Sequence, residues 1–208
     1  MQTILYTAPT EIENEIEIIS TLMDIGVDYL YIRKPDLDDF SLVDFMEKIQ
    51  EKYWKQCIST SLIITKEFNL GGYHFTRDIL QKNINYNDKI LDWLRANKKI
   101  ASVSAHQIDD ITKYDGQFNH IIVSPIFKSI SKENHHYHWD FDALSSILSQ
   151  HKTAKKFAIG GLEADAQKIN IIKNCNFDGI GILGAIWNEP KNAIEQYQKL
   201  QQLITDAK

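Results

Sequence analysis

Five short stretches of this sequence hold the side chains and bare backbone that chemistry would use. Tyr31-Ile32-Arg33-Lys34-Pro35 sets two cations side by side before a proline. Arg33 is the better anion ligand, because a planar guanidinium grips phosphate or carboxylate through two parallel N–H bonds. Its ordinary alternative is a surface ion pair with Asp36 or Asp38. Ser102-Val103-Ser104-Ala105-His106 ends on an imidazole, which exchanges a proton near pH 7 when it faces a ligand and otherwise hydrogen-bonds its own loop. Ser124-Pro125-Ile126-Phe127-Lys128-Ser129-Ile130-Ser131-Lys132 gathers hydroxyls and ammonium groups of the kind an oxyanion-rich ligand needs, although the same content also suits a solvated loop.

The remaining two stretches are Ala158-Ile159-Gly160-Gly161-Leu162 and Gly179-Ile180-Gly181-Ile182-Leu183-Gly184-Ala185-Ile186. Glycines there let a phosphate approach backbone N–H groups directly, so Gly160, Gly161 and Gly184 form the best phosphate site that the residues alone suggest. His135-His136-Tyr137-His138 supplies three imidazoles in four residues, but that spacing fixes no common face off a helix and has no carboxylate beside it. It reads as a lid or solvated loop before it reads as a metal site. Trp93, Trp139 and Trp187 read as shell packing or helix caps.

These stretches gain meaning from the elements that carry them. Short apolar runs at Thr3–Tyr6, Tyr29–Ile32, Ile100–Val103, His120–Val123, Lys156–Ile159 and Gly179–Leu183 have the length of buried strands. Between them, Glu11–Met23, Phe40–Tyr53, Ile108–Tyr114, Asp140–Leu148, Ala164–Lys173 and Ala193–Ile204 repeat apolar residues three and four apart, as amphipathic helices do. Weaker units, a strand near Gln56–Ser59 with a helix through Ser61–Phe68 and a strand at Gly72–Phe75 with a helix around Lys89–Ala96, complete eight strand–helix units. Strict alternation implies a parallel sheet, and the first turn, Leu5-Tyr6-Thr7-Ala8-Pro9, lacks the glycines of an open dinucleotide-binding sheet. The expectation is α/β, a single (β/α)8 TIM barrel over residues 1–208, with chemistry at the ends of the strands.

Composition bounds the ligand. The chain has 208 residues, 43% of them hydrophobic and 25% charged, which is the ordinary globular range. A net charge of −5 and a pI near 5.8 give a long-range field of the wrong sign for nucleic acid or an anionic membrane. Met1–Pro9 has no signal-peptide pattern and no stretch reaches 18 consecutive apolar residues, so a cytoplasmic location is expected. Cys57 and Cys175 stand alone and read as buried thiols.

Taken in order, YIRKP, SVSAHQIDD, SPIFKSISK, AIGGL and GILGAIW resemble the motifs of the thiamine phosphate synthase and TenI superfamily, which builds and processes the thiazole half of thiamine. The resemblance runs from Leu5 to about Trp187. It implies a (β/α)8 barrel with Arg33 on the pyrimidine or phosphate side of the pocket, and Ser129, Ser131 and Lys132 in a pyrophosphate-gripping loop. It also implies that Gly160, Gly161, Leu183 and Gly184 offer N–H groups to a thiazole phosphate, and that Ser104 and His106 sit at the centre, His106 at the position a TenI-like protein uses for proton transfer.

Departures from the synthase pattern divide the site. Where synthases carry Q-x-R-x-K, this chain has lost the glutamine and displaced the lysine by one. In place of an Asn-Asp pair and a second Asp that hold Mg²⁺ on pyrophosphate, it reads Ser59-Thr60 and His74-Phe75-Thr76-Arg77-Asp78. Only Asp78 remains as a metal ligand, and one carboxylate holds Mg²⁺ poorly against its water shell. The expected function is therefore a cofactor-free thiazole tautomerase that binds a small thiazole phosphate or thiamine phosphate. Mg²⁺-dependent synthesis of thiamine phosphate is the alternative, a non-catalytic thiamine phosphate binder the next, and an unrelated phosphate-binding barrel the last. No nucleic-acid or membrane partner is expected, and a homodimer is left open.

Overall fold

Strands of three to six residues alternate with helices around the whole molecule. The computed structural model describes residues 1–82, 84–127 and 139–206. In chain order the elements are β1 (Gln2–Tyr6), α1 (Glu15–Asp24), β2 (Tyr29–Ile32), α2 (Asp39–Glu47), β3 (Cys57–Ser59), α3 (Leu62–Glu67), β4 (Gly72–Phe75), α4 (Arg77–Lys82), α5 (Ile84–Ala96), β5 (Ile100–Ala105), α6 (Ile108–Tyr114), β6 (His120–Val123), α7 (Phe141–Gln150), β7 (Lys155–Ile159), α8 (Ala166–Asn174), β8 (Gly179–Ile182), α9 (Gly184–Trp187) and α10 (Ala193–Asp206). Every strand pairs in parallel with its sequence neighbours. β8 closes the ring on β1, from Gln2 opposite Gly179 to Leu5 opposite Ile182. The expected (β/α)8 barrel is the observed architecture. No helix among the described residues is long and apolar enough to cross a membrane.

Strand side chains alternate between two cores, as a period of two demands. Ile4, Tyr6, Tyr31, Ile58, Ile122 and Phe157 fill the barrel interior. Their neighbours Leu5, Leu30, Ile32, Val103, Ile121 and Val123 belong to the larger cluster beneath the helices. Helix starts are set by side chains that accept the otherwise unpaired first N–H groups: Asp38 from Ser41, Ser61 from Ile64, Asp140 from Asp142 and Ala143, and Asp165 from Gln167 and Lys168. Each such cap contributes about 1 kcal/mol.

Three helix boundaries differ from the sequence expectation. The Phe40–Tyr53 pattern is not one helix: α2 stops at Glu47, and Glu51–Gln56 forms a separate 3-10 turn. Met46, Ile49 and Tyr53 are all buried across that break. Apolar spacing records which residues face the core, and it survives an interruption of the hydrogen-bond ladder. The helix expected around Lys89 begins at Ile84 and is preceded by α4. The first helix begins at Glu15 rather than Glu11, after Asn14 takes a left-handed conformation at φ 61°.

The tryptophans pack the shell as expected, Trp187 donating its indole N–H to the Tyr6 carbonyl at 2.6 Å and Trp139 to that of Pro125 at 2.8 Å. Cys57 and Cys175 are buried free thiols.

Candidate active site at the C-terminal rim

Because all eight strands run in parallel, the residues that follow β2, β5, β7 and β8 emerge at one end of the barrel. Arg33, His106, Gly160, Gly161, Leu183 and Gly184 therefore share a rim. Ser104, one inward step below His106, lies at the mouth. Ser129, Ser131, Lys132 and the His135–His138 run lie outside the described residues.

His106 is held from helix α6 and from the end of β6. Its backbone N–H and that of Gln107 both donate to the Asp110 carboxylate, at 2.9 and 3.2 Å, which fixes the turn from β5 into α6. The ring Nδ1 lies 2.7 Å from the carbonyl oxygen of Ser124, at the end of β6. A carbonyl can only accept, so Nδ1 carries a proton and donates it to Ser124.

At the β7–β8 side the rim is backbone. Gly160 and Gly161 have φ of 101° and 64°, which L side chains rarely adopt, and a Cβ on Gly160 would stand 2.8 Å from the Pro125 Cβ. The carbonyls of this turn are used, that of Gly160 by the Phe127 N–H at 3.2 Å and that of Gly161 by the Lys168 ammonium at 2.9 Å. What the turn offers a ligand is thus donors and not acceptors. Leu183 precedes the short helix α9, whose first residue is Gly184. Lys168 also pairs with Glu163 at 2.5 Å, which brings a half-buried cation to the turn that the sequence reading did not single out.

The β2–β4 side is different. The backbone of Arg33 is clamped to β1, its N–H donating to the Thr7 hydroxyl at 2.9 Å and its carbonyl accepting from that hydroxyl at 3.2 Å. Its guanidinium is exposed and, among the described residues, pairs with no carboxylate; Asp38 is occupied as the cap of α2. Lys34 is not at the mouth. It points outward, buried, and donates to Glu15 of α1 at 2.5 Å, while the other Glu15 oxygen accepts from the Ala8 N–H at 2.9 Å. Burial pushes the Glu15 carboxyl up, against the pull of Lys34.

The residues at the ends of β3 and β4 do not fit a magnesium ion. Asp78 is exposed in the first turn of α4. The Ser59 hydroxyl accepts from the Ser61 N–H at 3.0 Å, and the carboxylate of Asp39 that reaches this loop accepts from the Ser61 hydroxyl at 2.7 Å. Among the described residues no three His, Cys, Asp or Glu side chains converge as a metal site. A single exposed carboxylate among hydroxyls is a weak competitor with the hydration shell of Mg²⁺.

Below the mouth lies a polar chain that the sequence reading missed. Tyr31 of β2, His74 of β4, Ser102 and Ser104 of β5, and His120 of β6 are linked inside the barrel. The Tyr31 hydroxyl donates to Ser102 Oγ at 2.8 Å and lies 3.2 Å from His120 Nδ1. His74 reaches Ser102 through Nδ1 at 2.9 Å and Ser104 through Nε2 at 3.1 Å. Burial, helped by the charges of Arg33, His106 and His120, pushes His74 down to about 3, and burial with Lys155 does the same to His120. Both rings are neutral at pH 7. The detectable signal was polar residues at alternate positions of strands that should otherwise be continuously apolar.

A cleft of about 560 Å³ opens at the opposite end, between the start of β1 and α10, and includes Met1, Thr3, Asp28, Tyr197, Gln201 and Asp206. None of the candidate residues touches it. Its lining holds no lysine, arginine or histidine.

Comparison with known proteins agrees with this fold. A family model described as thiamine monophosphate synthase matches residues 3–186. A sequence search of curated proteins gives no match. Among solved structures, thiamine phosphate pyrophosphorylase from Bacteroides thetaiotaomicron is similar at 24% identity and a TM-score of 0.77, over 98% of this chain and 97% of that one. The 3-hexulose-6-phosphate synthase from Salmonella typhimurium is similar at 11% identity and 0.71, over 100% of both chains. The (S)-3-O-geranylgeranylglyceryl phosphate synthase from Thermoplasma acidophilum follows at 15% and 0.66, over 99% and 92%. At these identities the likeness in structure speaks for the fold alone.

Proposed function

Because this chain belongs to the thiamine monophosphate synthase family, we propose that it acts on a thiazole phosphate, as a tautomerase that aromatises a thiazole carboxylate phosphate. The observation that carries this reading is the held ring of His106 at the rim, with Nδ1–H tied to the Ser124 carbonyl. Nε2 takes a proton from the non-aromatic ring and returns it to another position of the same ligand, so the ligand's composition does not change. Gly160, Gly161, Leu183 and Gly184 hold the phosphate through backbone N–H groups, Arg33 adds a charge across the mouth, and Ser104 meets the heterocycle from below. No step needs a metal.

His106→Gln tests it. General acid–base catalysis contributes about 10²–10⁴-fold, so the variant is expected to isomerise the substrate at least about 100-fold more slowly while still binding thiazole phosphate. A loss below about tenfold would remove His106 from the role.

Thiamine phosphate synthesis is the second reading, favoured by the description of the family itself. It joins an aminopyrimidine pyrophosphate to thiazole phosphate with release of pyrophosphate. Purified protein, both substrates and Mg²⁺ decide it: metal-dependent formation of thiamine phosphate at an enzymatic rate would reverse the order of the two readings.

A further inference from the structure

The interior polar chain has a direction, and that direction reaches the mouth. A phenol carries one proton, and burial keeps the Tyr31 hydroxyl protonated by pushing its pKa well up. Geometry gives that proton to Ser102 Oγ, at 2.8 Å. The 3.2 Å contact between Tyr31 and His120 Nδ1 must then be made by the proton of His120.

Ser102 is fully buried and has one proton of its own, with His74 Nδ1 2.9 Å away. If His74 Nδ1 carried a proton, two donors would meet at Ser102 and its own hydroxyl would point at no acceptor among the described residues. An unmade buried hydrogen bond costs about 1–3 kcal/mol, so the chain resolves the other way. Ser102 donates to Nδ1. The single proton of the neutral His74 ring is left on Nε2, which faces Ser104 Oγ at 3.1 Å.

We infer that His74 is a positioning residue: by donating to Ser104 it leaves the Ser104 hydroxyl proton to be given to the ligand. The consequence is specificity. The ligand group seated over Ser104 is an acceptor, such as a ring nitrogen, a carboxylate or a carbonyl oxygen, and a ligand that places an amine there meets a donor. The reversed chain, with Ser104 donating down to His74, would select the opposite. The inference rests on the rim being the ligand site, as proposed above, but the direction of the chain does not.

The experiment has two arms on the full chain. In the first, the ring nitrogens are labelled with ¹⁵N and His74 is assigned by its disappearance in His74→Phe; at pH 7 the neutral Nε2–H form is expected at His74 and the Nδ1–H form at His120. The Nδ1–H form at His74 overturns the inference. In the second, calorimetry measures binding of thiazole phosphate. A neutral hydrogen bond corresponds to about 2–10-fold, so Ser104→Ala and His74→Phe are each expected to weaken binding by that factor. The double variant should be no weaker than Ser104→Ala, and His74→Gln, whose amide N–H still reaches Ser104, should recover most of the loss.

Additive losses, or native affinity in a folded His74→Phe, also overturn it. If His74→Phe does not fold, His74→Gln and the tautomer carry the test. If the parent protein binds no thiazole phosphate while His74 is in the Nε2–H form, the functional reading fails and the direction of the chain stands.

Discussion

Two halves of the same rim have fared differently. From β5 to β8 the rim carries the glycine backbone at Gly160, Gly161 and Gly184 and a histidine fastened to its neighbours. From β2 to β4 the corresponding work would fall to charged side chains, and there Lys34 is turned away, Ser59 bonds its own loop and Asp78 stands exposed. The lesson is one of phase. Continuing β2 beyond Ile32, successive residues alternate sides, so a lysine displaced by one position crosses from the mouth to the helix layer. A backbone site needs only glycine at the turn, whereas a site built of charges is lost through one such shift.

The largest effect should come from breaking the structural use of Lys34. Lys34→Met leaves Glu15 buried without its partner, which should cost about 3–5 kcal/mol in urea unfolding. Adding Glu15→Gln, whose amide oxygen still accepts from Ala8, should return most of it. If Lys34→Met is neutral, Lys34 is not locked outward and the contrast between the halves is wrong.

Next is the glycine turn. Gly160→Ala combines a strained φ of 101° with a Cβ 2.8 Å from Pro125, and should cost about 2–4 kcal/mol. Gly184→Ala, whose Cβ would meet nothing closer than the Asn188 amide at 3.4 Å, should cost under about 1 kcal/mol. Equal losses would show that the two glycines are not distinguished by backbone strain.

Acidification sharpens the role of the interior chain that joins the halves. His74 and His120 sit near 3 when folded, against about 6.5 when unfolded. Between those values the unfolded chain binds protons that the folded chain refuses, so stability rises with pH across this window and is lost on acidification. From pH 7 to pH 5 the two should contribute a loss of roughly 2–4 kcal/mol. About half of it should vanish in His74→Phe, and an unchanged pH profile in that variant would mean His74 already titrates in the folded state.

The smallest effect is expected at Asp78. Asp78→Asn should leave thiazole phosphate affinity unchanged with or without Mg²⁺, while Arg33→Met on the same half weakens it by about tenfold. A magnesium-dependent loss in Asp78→Asn would restore a metal to the β2–β4 side.

By itself the sequence determined the barrel, because eight apolar runs separated by amphipathic helices leave few other ways to bury both faces of a parallel sheet. It also placed Arg33, His106 and the glycines at strand ends, where a parallel barrel must bring them to one rim. Helix limits were less legible, since burial periodicity runs through the break between Glu47 and Glu51. Only the tertiary structure decided which of two adjacent cations is buried against a helix and which is exposed at the rim, and that His74 lies between Ser102 and Ser104. Both depend on partners far away in sequence: Glu15 for Lys34, and Tyr31 and His120 for the polar chain. Such contacts have no local spacing to betray them, because barrel closure and strand register alone create them.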